Sequence, residues 1–331
     1  MSHAGYILDL DGVVYIGNDA VPYAIEALNA AADRGVRLTA ATNNASRPAT
    51  EVAKHLVELG LRITPDDVVT SAQAAARELA MLLPEGSEVL AVGGPGVALA
   101  LEAVGLRPLR ASANLDESND VVGRAEALMM GYGPAVAWHD LAAAHWAIQR
   151  GLPWMATNTD STVPTKYGRA PGNGSMVQAL IHASGVEPMI AGKPQPALFE
   201  RAVEYLGTRN VLVIGDRFDT DIDGAAAANV ESLFVLTGVH GIPELADQPM
   251  DRWPQFIAQD LRSLTEPVIT VAADGDAVSA DGAHPLADAV VVAAKARMGQ
   301  RVRVPAYVAH SEPAPLIDVR PLLSTAGSVR A

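Results

Sequence analysis

The chain has 331 residues, of which 49% are hydrophobic, and this length allows two or three domains with ordinary apolar cores. Its formal net charge of −14 argues against a nucleic-acid partner, because binding to a phosphate backbone requires basic surface. The absence of cysteine excludes disulfides, thiolate zinc sites and cysteine nucleophiles.

The beginning of the chain carries no sign of a targeting or membrane segment. The residues MSHAGY lack the charged and apolar regions of a signal peptide, and no apolar stretch reaches the ~18 residues that span a bilayer. We therefore expect a soluble, cytoplasmic protein without a membrane partner.

The first predicted element is a strand that begins at Tyr6 in the stretch YILDLDGVVY, residues 6–15. Asp9 and Asp11 stand at the end of this apolar run and point to the same side of an extended segment. Two carboxylates that lose water and repel each other need a compensating cation.

Helices and strands alternate after this strand. Helices are predicted over 22–35, 47–60 and 71–83, and strands over 36–44, 211–216 and 231–238. Proline near the start and glycine at the end support the first two helices. The alternation predicts a mostly parallel sheet covered by helices.

A second α/β region begins near Glu88. Strands are predicted over 88–94, 125–132 and 153–158, and helices over 97–105, 138–151 and 175–185. Residues 159–174, TDSTVPTKYGRAPGNG, are predicted to form a long loop, and loops of this length are often functional. From Pro267 onward a small α/β appendage is predicted, with a strand over 267–279, a helix over 286–300 and a strand over 301–310.

Polar residues follow several of the predicted strands. Thr42 and Asn43 end the second strand, Lys193 stands in the short loop AGKPQP, and Asp216 ends the strand VLVIG, with Asp219, Asp221 and Asp223 beyond it. Ligands of open parallel sheets bind at the carboxyl ends of the strands. Clustered aspartates suit Mg²⁺, and a carboxylate nucleophile can form an aspartyl-phosphate while lysine and hydroxyl donors neutralise phosphoryl oxygens.

The stretches DLDGVVY, TNN, GKP and GDRFDTDI, in this order, resemble the four signature motifs of the haloacid dehalogenase (HAD) superfamily of phosphatases. The tyrosine after DGVV, the TNN form and the GDRxxTDI form resemble the NagD-like branch, which includes p-nitrophenylphosphatases, phosphoglycolate phosphatases and glycerol 3-phosphate phosphatases. The resemblance covers about residues 5–260.

The resemblance implies a role for each matching residue. Asp9 would be the nucleophile, and Asp11 the general acid and then the base that activates water. Thr42 and Lys193 would hold the phosphoryl group. Asp9, Asp216 and the main-chain carbonyl of Asp11 would bind Mg²⁺, and Asp221 would lie behind these ligands or bind the metal through a water molecule. The candidates for substrate binding are Asn43, Asn44, Asn158, Asp160, Lys166 and Arg169.

The resemblance also implies a domain organisation. It predicts a doubly wound parallel-sheet core in two parts, residues 1–83 and 175–262, with an inserted α/β cap of the C2 type at 84–174. Residues 267–331 would form a small C-terminal accessory domain, which is not expected to carry chemistry. A homodimer through the cap is compatible with the resemblance, since some relatives dimerise in this way.

The expected activity is the Mg²⁺-dependent hydrolysis of a small phosphate monoester. Glycerol 3-phosphate is the first choice, because the layout with its C-terminal appendage resembles actinobacterial glycerol 3-phosphate phosphatases. Phosphoglycolate follows, and then nucleoside monophosphates or pyridoxal phosphate. A phosphotransferase and a metal-binding regulatory module that has lost turnover stay as alternatives.

Two further stretches resemble ligand-binding motifs but lack a residue that each motif requires. The stretch beginning at Asp219 starts like an EF-hand loop, but its twelfth position is Val230, so the bidentate ligand is missing. The stretch VGGPGVAL resembles a dinucleotide fingerprint, but Leu99 takes the place of a small residue, and a tight strand-to-helix turn is predicted instead.

Overall fold

The computed structural model describes residues 3–165, 167–274, 277–298, 300, 307 and 312–328. The chain divides into two compact units. The first unit comprises Met1–Ala40, Glu58–Arg62 and Leu206–Ala331, and the second comprises Ala41–Val57 and Ile63–Tyr205. The domain limits that the sequence predicts stay a prediction.

The strands are numbered along the chain. They are β1 (Gly5–Leu8), β2 (Tyr15–Ile16), β3 (Asp19–Ala20), β4 (Arg37–Thr42), β5 (Val68–Thr70), β6 (Glu88–Val92), β7 (Arg107–Leu109), β8 (Ala127–Met130), β9 (Trp154–Ala156), β10 (Thr162–Thr165), β11 (Gly168–Pro171), β12 (Met189–Ile190), β13 (Val211–Gly215), β14 (Glu231–Val235), β15 (Phe256–Ala258), β16 (Val268–Asp274), β17 (Ala277–Ala280) and β18 (Leu316–Asp318).

The α-helices are numbered in the same way. They are α1 (Ala24–Asp33), α2 (Ala49–Glu58), α3 (Ser71–Leu82), α4 (Pro95–Ala103), α5 (Leu115–Arg124), α6 (Trp138–Gln149), α7 (Asn173–Ser184), α8 (Ala197–Leu206), α9 (Asp223–Ala227), α10 (Ile242–Asp247), α11 (Pro285–Arg297) and α12 (Arg320–Ser328). No helix among the described residues is long and apolar enough to cross a membrane.

The first unit contains a sheet in which the strands follow the order β17-β16-β18-β15-β14-β13-β1-β4. Strands β15, β14, β13, β1 and β4 run parallel to one another. Every residue of β1 and β13 is buried, because helices cover both faces of a parallel sheet. The predicted α/β fold with a parallel sheet is thereby confirmed.

The C-terminal segment extends this same sheet. β18 pairs antiparallel with β15 and parallel with β16, and β16 forms a hairpin with β17. The single strand predicted over 267–279 is therefore two strands. The helix predicted over 286–300 is α11, whereas the predicted strand 301–310 lies almost wholly outside the described residues. Val290 and Ile317 share one hydrophobic core with Phe234 and Ile257.

The second unit contains its own sheet, in the order β12-β9-β8-β6-β7 and parallel throughout. Helices α5, α6 and α7 pack against it and share a core that includes Leu128, Trp154 and Val177. Helix α5 was not among the predicted elements, because its sequence LDESNDVVGR is mostly polar and shows only a narrow apolar stripe.

The predicted loop 159–174 is wrong in one respect, because most of it forms the hairpin β10–β11. The two strands pair antiparallel, with Thr162 opposite Pro171 and Thr165 opposite Gly168. Gly168 has a φ of 113°, which a side chain would disfavour, and the Thr165 hydroxyl donates to its carbonyl at 2.6 Å. The polar, proline-containing composition predicted a loop, but the glycine and the hydroxyl hydrogen bond at the turn allow the two strands to pair.

The stretch VGGPG forms the predicted turn between β6 and α4. Gly96 donates its N–H to the Ser46 carbonyl at 3.2 Å, and a Cβ atom on Gly94 would lie 2.7 Å from the same oxygen. The glycines therefore serve close packing of backbone on backbone, and protein backbone occupies the space in front of the helix where a pyrophosphate would bind.

Candidate functional site

The first part of the candidate site is an acidic cluster formed by Asp9, Asp216 and Asp221. Strand β1 lies beside β13 with Leu8 opposite Ile214, and the Asp9 N–H donates to the Ile214 carbonyl at 2.9 Å. Asp9 and Asp216 therefore leave neighbouring parallel strands at the same edge. One carboxylate oxygen from each of the three aspartates lies within 4.8 Å of the others.

The acidic cluster fits a hard divalent cation. Asp216 and Asp221 are 0% and 1% exposed, so their charges are removed from water. Three carboxylates at such short range repel one another strongly, and a bound cation offsets both this repulsion and the loss of hydration. An all-oxygen donor set is the one that Mg²⁺ prefers. The three residues thus fit the predicted Mg²⁺.

Two of the four aspartates in the stretch GDRFDTDID, Asp219 and Asp223, form salt bridges, whereas Asp216 and Asp221 belong to the acidic cluster. Asp219 is exposed and receives two hydrogen bonds from the Arg217 guanidinium, at 2.6 and 3.0 Å. Burial acts to raise the pKa of Asp219, but the hydrogen bonds and charge of Arg217 hold that pKa below its usual value. Asp223 pairs with Arg252 in the same way. Asp221 instead points into the acidic cluster.

Asp11 lies beside the acidic cluster in sequence but differs from it in exposure. Asp11 is exposed, whereas Asp9 is half-buried. Among the described residues, the carboxylates that could share a metal ion are those of the acidic cluster, and Asp11 is not one of them. The predicted role of the Asp11 side chain in proton transfer stays a prediction. Metal binding by its main-chain carbonyl stays a prediction.

Sequence reasoning missed the segment that surrounds Asp216. The Val239 N–H donates to Oδ2 of Asp216 at 2.6 Å, and the His240 N–H donates to its main-chain carbonyl at 3.3 Å. Thr237 donates its hydroxyl to the Gly12 carbonyl at 2.6 Å. The sequence signal that could have indicated this segment is its position. The stretch TGVHG follows β14, which pairs with β13, the strand that ends just before Asp216.

The second unit contains a separate group of polar side chains, an amide network formed by Asn43, Asn158 and Asn173. The Asn43 side chain pairs with the backbone of Lys193 in both directions. Its Oδ1 accepts from the Lys193 N–H at 2.8 Å, and its Nδ2 donates to the Lys193 carbonyl at 3.4 Å. Asn43 thereby fixes the loop that carries Lys193, which is 3% exposed.

The amide network also binds the residues that precede the hairpin β10–β11. Asn158 donates to the Asn43 carbonyl at 2.7 Å, and Asn173 donates to the Asn158 carbonyl at 2.7 Å. Asp160 accepts from Nδ2 of Asn43 at 3.2 Å. These side chains contact protein groups, so their predicted role in substrate binding stays a prediction.

Thr42 and Asn44 lie on either side of Asn43. The Thr42 hydroxyl, at the end of β4 and 6% exposed, accepts from the Asn44 N–H at 3.1 Å. The Asn44 side chain accepts from the Ser46 N–H and hydroxyl at 3.0 and 2.9 Å, which stabilises a local turn. Asn44 therefore contacts near neighbours, whereas Asn43 contacts a loop that is distant in sequence.

The predicted cap residues Lys166 and Arg169 belong to the hairpin region. Arg169 lies in β11, opposite Pro164, and is exposed. Lys166 lies outside the described residues. Its neighbour Tyr167 is 89% exposed, so an aromatic ring projects from the hairpin turn.

Two segments of this chain match known protein families. Residues 6–107 match the haloacid dehalogenase-like hydrolases, and residues 190–264 match a second, HAD-hydrolase-like family. These ranges contain all the residues of the acidic cluster, together with Thr42, Asn43 and Lys193.

Characterised relatives are similar over most of the chain. The D-glycerol 3-phosphate phosphatase of Mycobacterium tuberculosis is 46% identical over 262 residues, which are 79% of this chain and 71% of that protein. The 5′-nucleotidase YutF of Bacillus subtilis is 33% identical over 240 residues, which are 72% of this chain and 89% of that protein.

A solved structure is also similar. The crystal structure of a glycerol phosphate phosphatase from Mycobacterium tuberculosis in complex with magnesium superposes with a TM-score of 0.78 at 41% identity, covering 91% of this chain and 92% of that one. The unmatched remainder of this chain is shorter than its C-terminal segment 267–331, so the match extends into that segment.

Proposed function

This chain belongs to the haloacid dehalogenase-like hydrolases and is a Mg²⁺-dependent phosphatase of that family, and we propose that its substrate is glycerol 3-phosphate, which it hydrolyses to glycerol and phosphate. The observation that carries the choice of substrate is the 46% identity to a D-glycerol 3-phosphate phosphatase. The acidic cluster supports the chemistry, because it combines a half-buried carboxylate with an all-oxygen cation site.

In the proposed reaction, Asp9 is the nucleophile. Its carboxylate oxygen attacks phosphorus, the bond between phosphorus and the glycerol oxygen breaks, and Asp11 donates a proton to the leaving oxygen. A water molecule then attacks the aspartyl-phosphate while Asp11 takes its proton. The bond from phosphorus to the Asp9 oxygen breaks and phosphate leaves, which restores the Asp9 carboxylate and returns Asp11 to its protonated form.

The other residues of the proposal hold the phosphoryl group and the cation. Thr42 and Lys193 bind phosphoryl oxygens, and Lys193 supplies a positive charge where negative charge develops. Asp9, Asp216 and Asp221, with the Asp11 carbonyl, hold Mg²⁺. When bound, Mg²⁺ neutralises charge on the phosphoryl oxygens and on the carboxylates.

Selectivity is proposed to depend on the polar segment 158–174 of the predicted cap. Its donors and acceptors suit a small polyol, and a site that hydrogen-bonds its substrate rejects analogues that leave its polar groups unpaired. Arg169 and Lys166 are the proposed substrate contacts there. We propose that four further polar residues shape the site around the substrate: Asn43, Asn44, Asn158 and Asp160.

A 5′-nucleotidase is the second candidate, and it is favoured by the 33% identity to the enzyme YutF. A nucleoside monophosphate carries a base that needs an apolar surface. Tyr167 is the exposed aromatic side chain that could supply such a surface in the hairpin turn. Phosphoglycolate and pyridoxal phosphate are weaker candidates, because no observed feature of the described residues favours them.

The test is a steady-state comparison of phosphate monoesters in the presence of Mg²⁺. We expect kcat/KM to be highest for glycerol 3-phosphate, compared with phosphoglycolate, AMP and pyridoxal phosphate. A higher value for AMP would favour the nucleotidase. Transfer of the phosphoryl group to added alcohols, measured by product analysis, would instead identify a phosphotransferase. Asp9→Asn protein serves as the control for contaminating phosphatases.

The proposal also concerns location and assembly. A phosphorylated metabolite as partner and a chain without cysteine are compatible with the cytoplasm. A homodimer through the predicted cap is part of the proposal, and sedimentation of the full chain with and without Mg²⁺ tests it.

A further inference from the structure

Asp216 is confined on two sides by backbone that carries no side chain. A Cβ atom built on Gly12 would lie 2.6 Å from Oδ2 of Asp216. A Cβ atom built on Gly238 would lie 2.6 Å from the Cβ atom of Asp216, and closer still to its carboxylate. Real Cβ atoms essentially never approach another atom this closely. Both positions therefore require glycine while Asp216 keeps its present orientation.

Hydrogen bonds hold the same backbone in place. The Val239 N–H donates to the Asp216 carboxylate at 2.6 Å, and the Thr237 hydroxyl donates to the Gly12 carbonyl at 2.6 Å. One residue further on, Nδ1 of His240 accepts from the Phe218 N–H at 3.1 Å, and the two rings stack. The segment Thr237–Val239 is thus anchored at both ends around Asp216.

From this geometry we infer that Thr237–Val239 is a positioning segment for metal binding, with Gly238 as its central residue. Gly238 leaves open the space that the Asp216 side chain occupies, and the Val239 N–H orients that carboxylate within the acidic cluster. The inference deepens the proposed function, since it rests on Asp216 being a ligand of Mg²⁺. Groups that orient metal ligands typically change metal affinity by about 10–100-fold when they are lost.

Gly238 is the position at which this inference can be tested. It is exposed and its φ lies outside the left-handed region, so alanine can adopt its backbone conformation, and the overlap with Asp216 is the steric change that the substitution introduces. Rotation of Asp216 about its first side-chain bond does not relieve the overlap, because the Asp216 Cβ atom itself is too close. Either the backbone at Asp216 or the backbone at position 238 must therefore shift, and both shifts change the contact that positions the carboxylate.

The chain offers a matched control in Gly241, three residues further on. A Cβ atom there would have Glu244 as its nearest contact, at an ordinary 3.5 Å, and its φ of −131° suits any residue. Gly238→Ala and Gly241→Ala thus each add one methyl group, the first against the metal ligand Asp216 and the second away from it.

The experiment measures binding of Mn²⁺ by electron paramagnetic resonance, with Mg²⁺ as competitor and without substrate. We expect Gly238→Ala to raise the dissociation constants of both ions by about 10–100-fold, and Gly241→Ala to leave them unchanged. Wild-type affinity in a folded Gly238→Ala protein would overturn the inference.

A second pair of variants applies if Gly238→Ala does not fold. Thr237→Val removes the hydroxyl that donates to Gly12, while Thr237→Ser retains it. We expect the valine variant to bind Mn²⁺ several-fold more weakly and the serine variant to bind it like the wild type. Equal affinity in all three proteins would overturn the inference. Because no substrate is present, a preference for another phosphate ester leaves these results unaffected.

Discussion

The acidic cluster of the first unit and the amide network of the second are built on opposite principles. The acidic cluster brings three carboxylates within 4.8 Å, whereas the amide network joins neutral side-chain amides to backbone groups of the protein. Carboxylates at this range are stabilised by a cation, whereas these amides donate to and accept from groups of the protein itself. The first region is therefore suited to binding and reaction, and the second to holding Lys193 in one position.

This comparison predicts different responses to the removal of a single side-chain group. Loss of a reacting or metal-binding carboxylate should abolish chemistry while leaving the fold intact, because it also relieves repulsion. Loss of an amide in the network should lower stability and activity together.

The largest expected effect is that of Asp9→Asn. The substitution keeps the size of the side chain but removes the nucleophile and one negative ligand, so we expect kcat to fall by at least about 10³-fold. Thermal unfolding should show a protein as stable as the wild type, or more so. Turnover of more than a few per cent of the wild-type kcat would contradict the role of Asp9.

A smaller loss is expected for Asp11→Asn, which keeps the main-chain carbonyl but cannot transfer a proton. General acid–base catalysis contributes typically about 10²–10⁴-fold. The loss should be least for p-nitrophenyl phosphate, whose leaving group needs little protonation, and greatest for an alkyl phosphate. Single-turnover rates that fall equally for both substrates would show that Asp11 is not the acid.

The amide network is tested by Asn43→Ala, with Asn44→Ala as its matched control. Asn43→Ala removes the acceptor of the buried Lys193 N–H and should lower the free energy of unfolding by about 1–3 kcal/mol. It should also weaken inhibition by inorganic phosphate, since Lys193 is no longer held. Asn44→Ala loses the hydrogen bonds that the Asn44 side chain accepts from Ser46 and should cost about 1 kcal/mol or less.

Urea denaturation and phosphate inhibition are the measurements for this pair. If both alanine variants lose the same free energy of unfolding and are inhibited equally by inorganic phosphate, the pairing of Asn43 with Lys193 has no special role.

The smallest effect is expected for Asp219→Asn. This variant tests whether Asp219 differs in role from Asp221, which lies two residues further on. Asp219 is exposed and paired with Arg217, and exposed ion pairs contribute about 0–1 kcal/mol. Affinity for Mn²⁺ and kcat should stay within about twofold of the wild type. In Asp221→Asn, by contrast, both should fall. A tenfold loss in Asp219→Asn would place that residue in the metal site.

The order of helices and strands could be predicted from the sequence, since it depends on local apolar periodicity. The strand predicted from Tyr6 is β1, and the helices predicted over 47–60 and 71–83 are α2 and α3. The hairpins β10–β11 and β16–β17 were missed, because pairing between two strands leaves no mark in the periodicity of either one. The polar helix α5 was missed for lack of an apolar face.

What the sequence by itself determined is the chemistry that is available. The aspartates, the lysine and their motifs are carried by short stretches, and those stretches predicted the family and the metal correctly. Tertiary structure alone decided which groups are committed to protein contacts. Asp223 pairs with Arg252, Asn43 with the backbone of Lys193, and Asp216 packs against Gly238. Each of these contacts joins residues far apart in the chain, so only the folded backbone brings the partners within hydrogen-bonding or van der Waals distance.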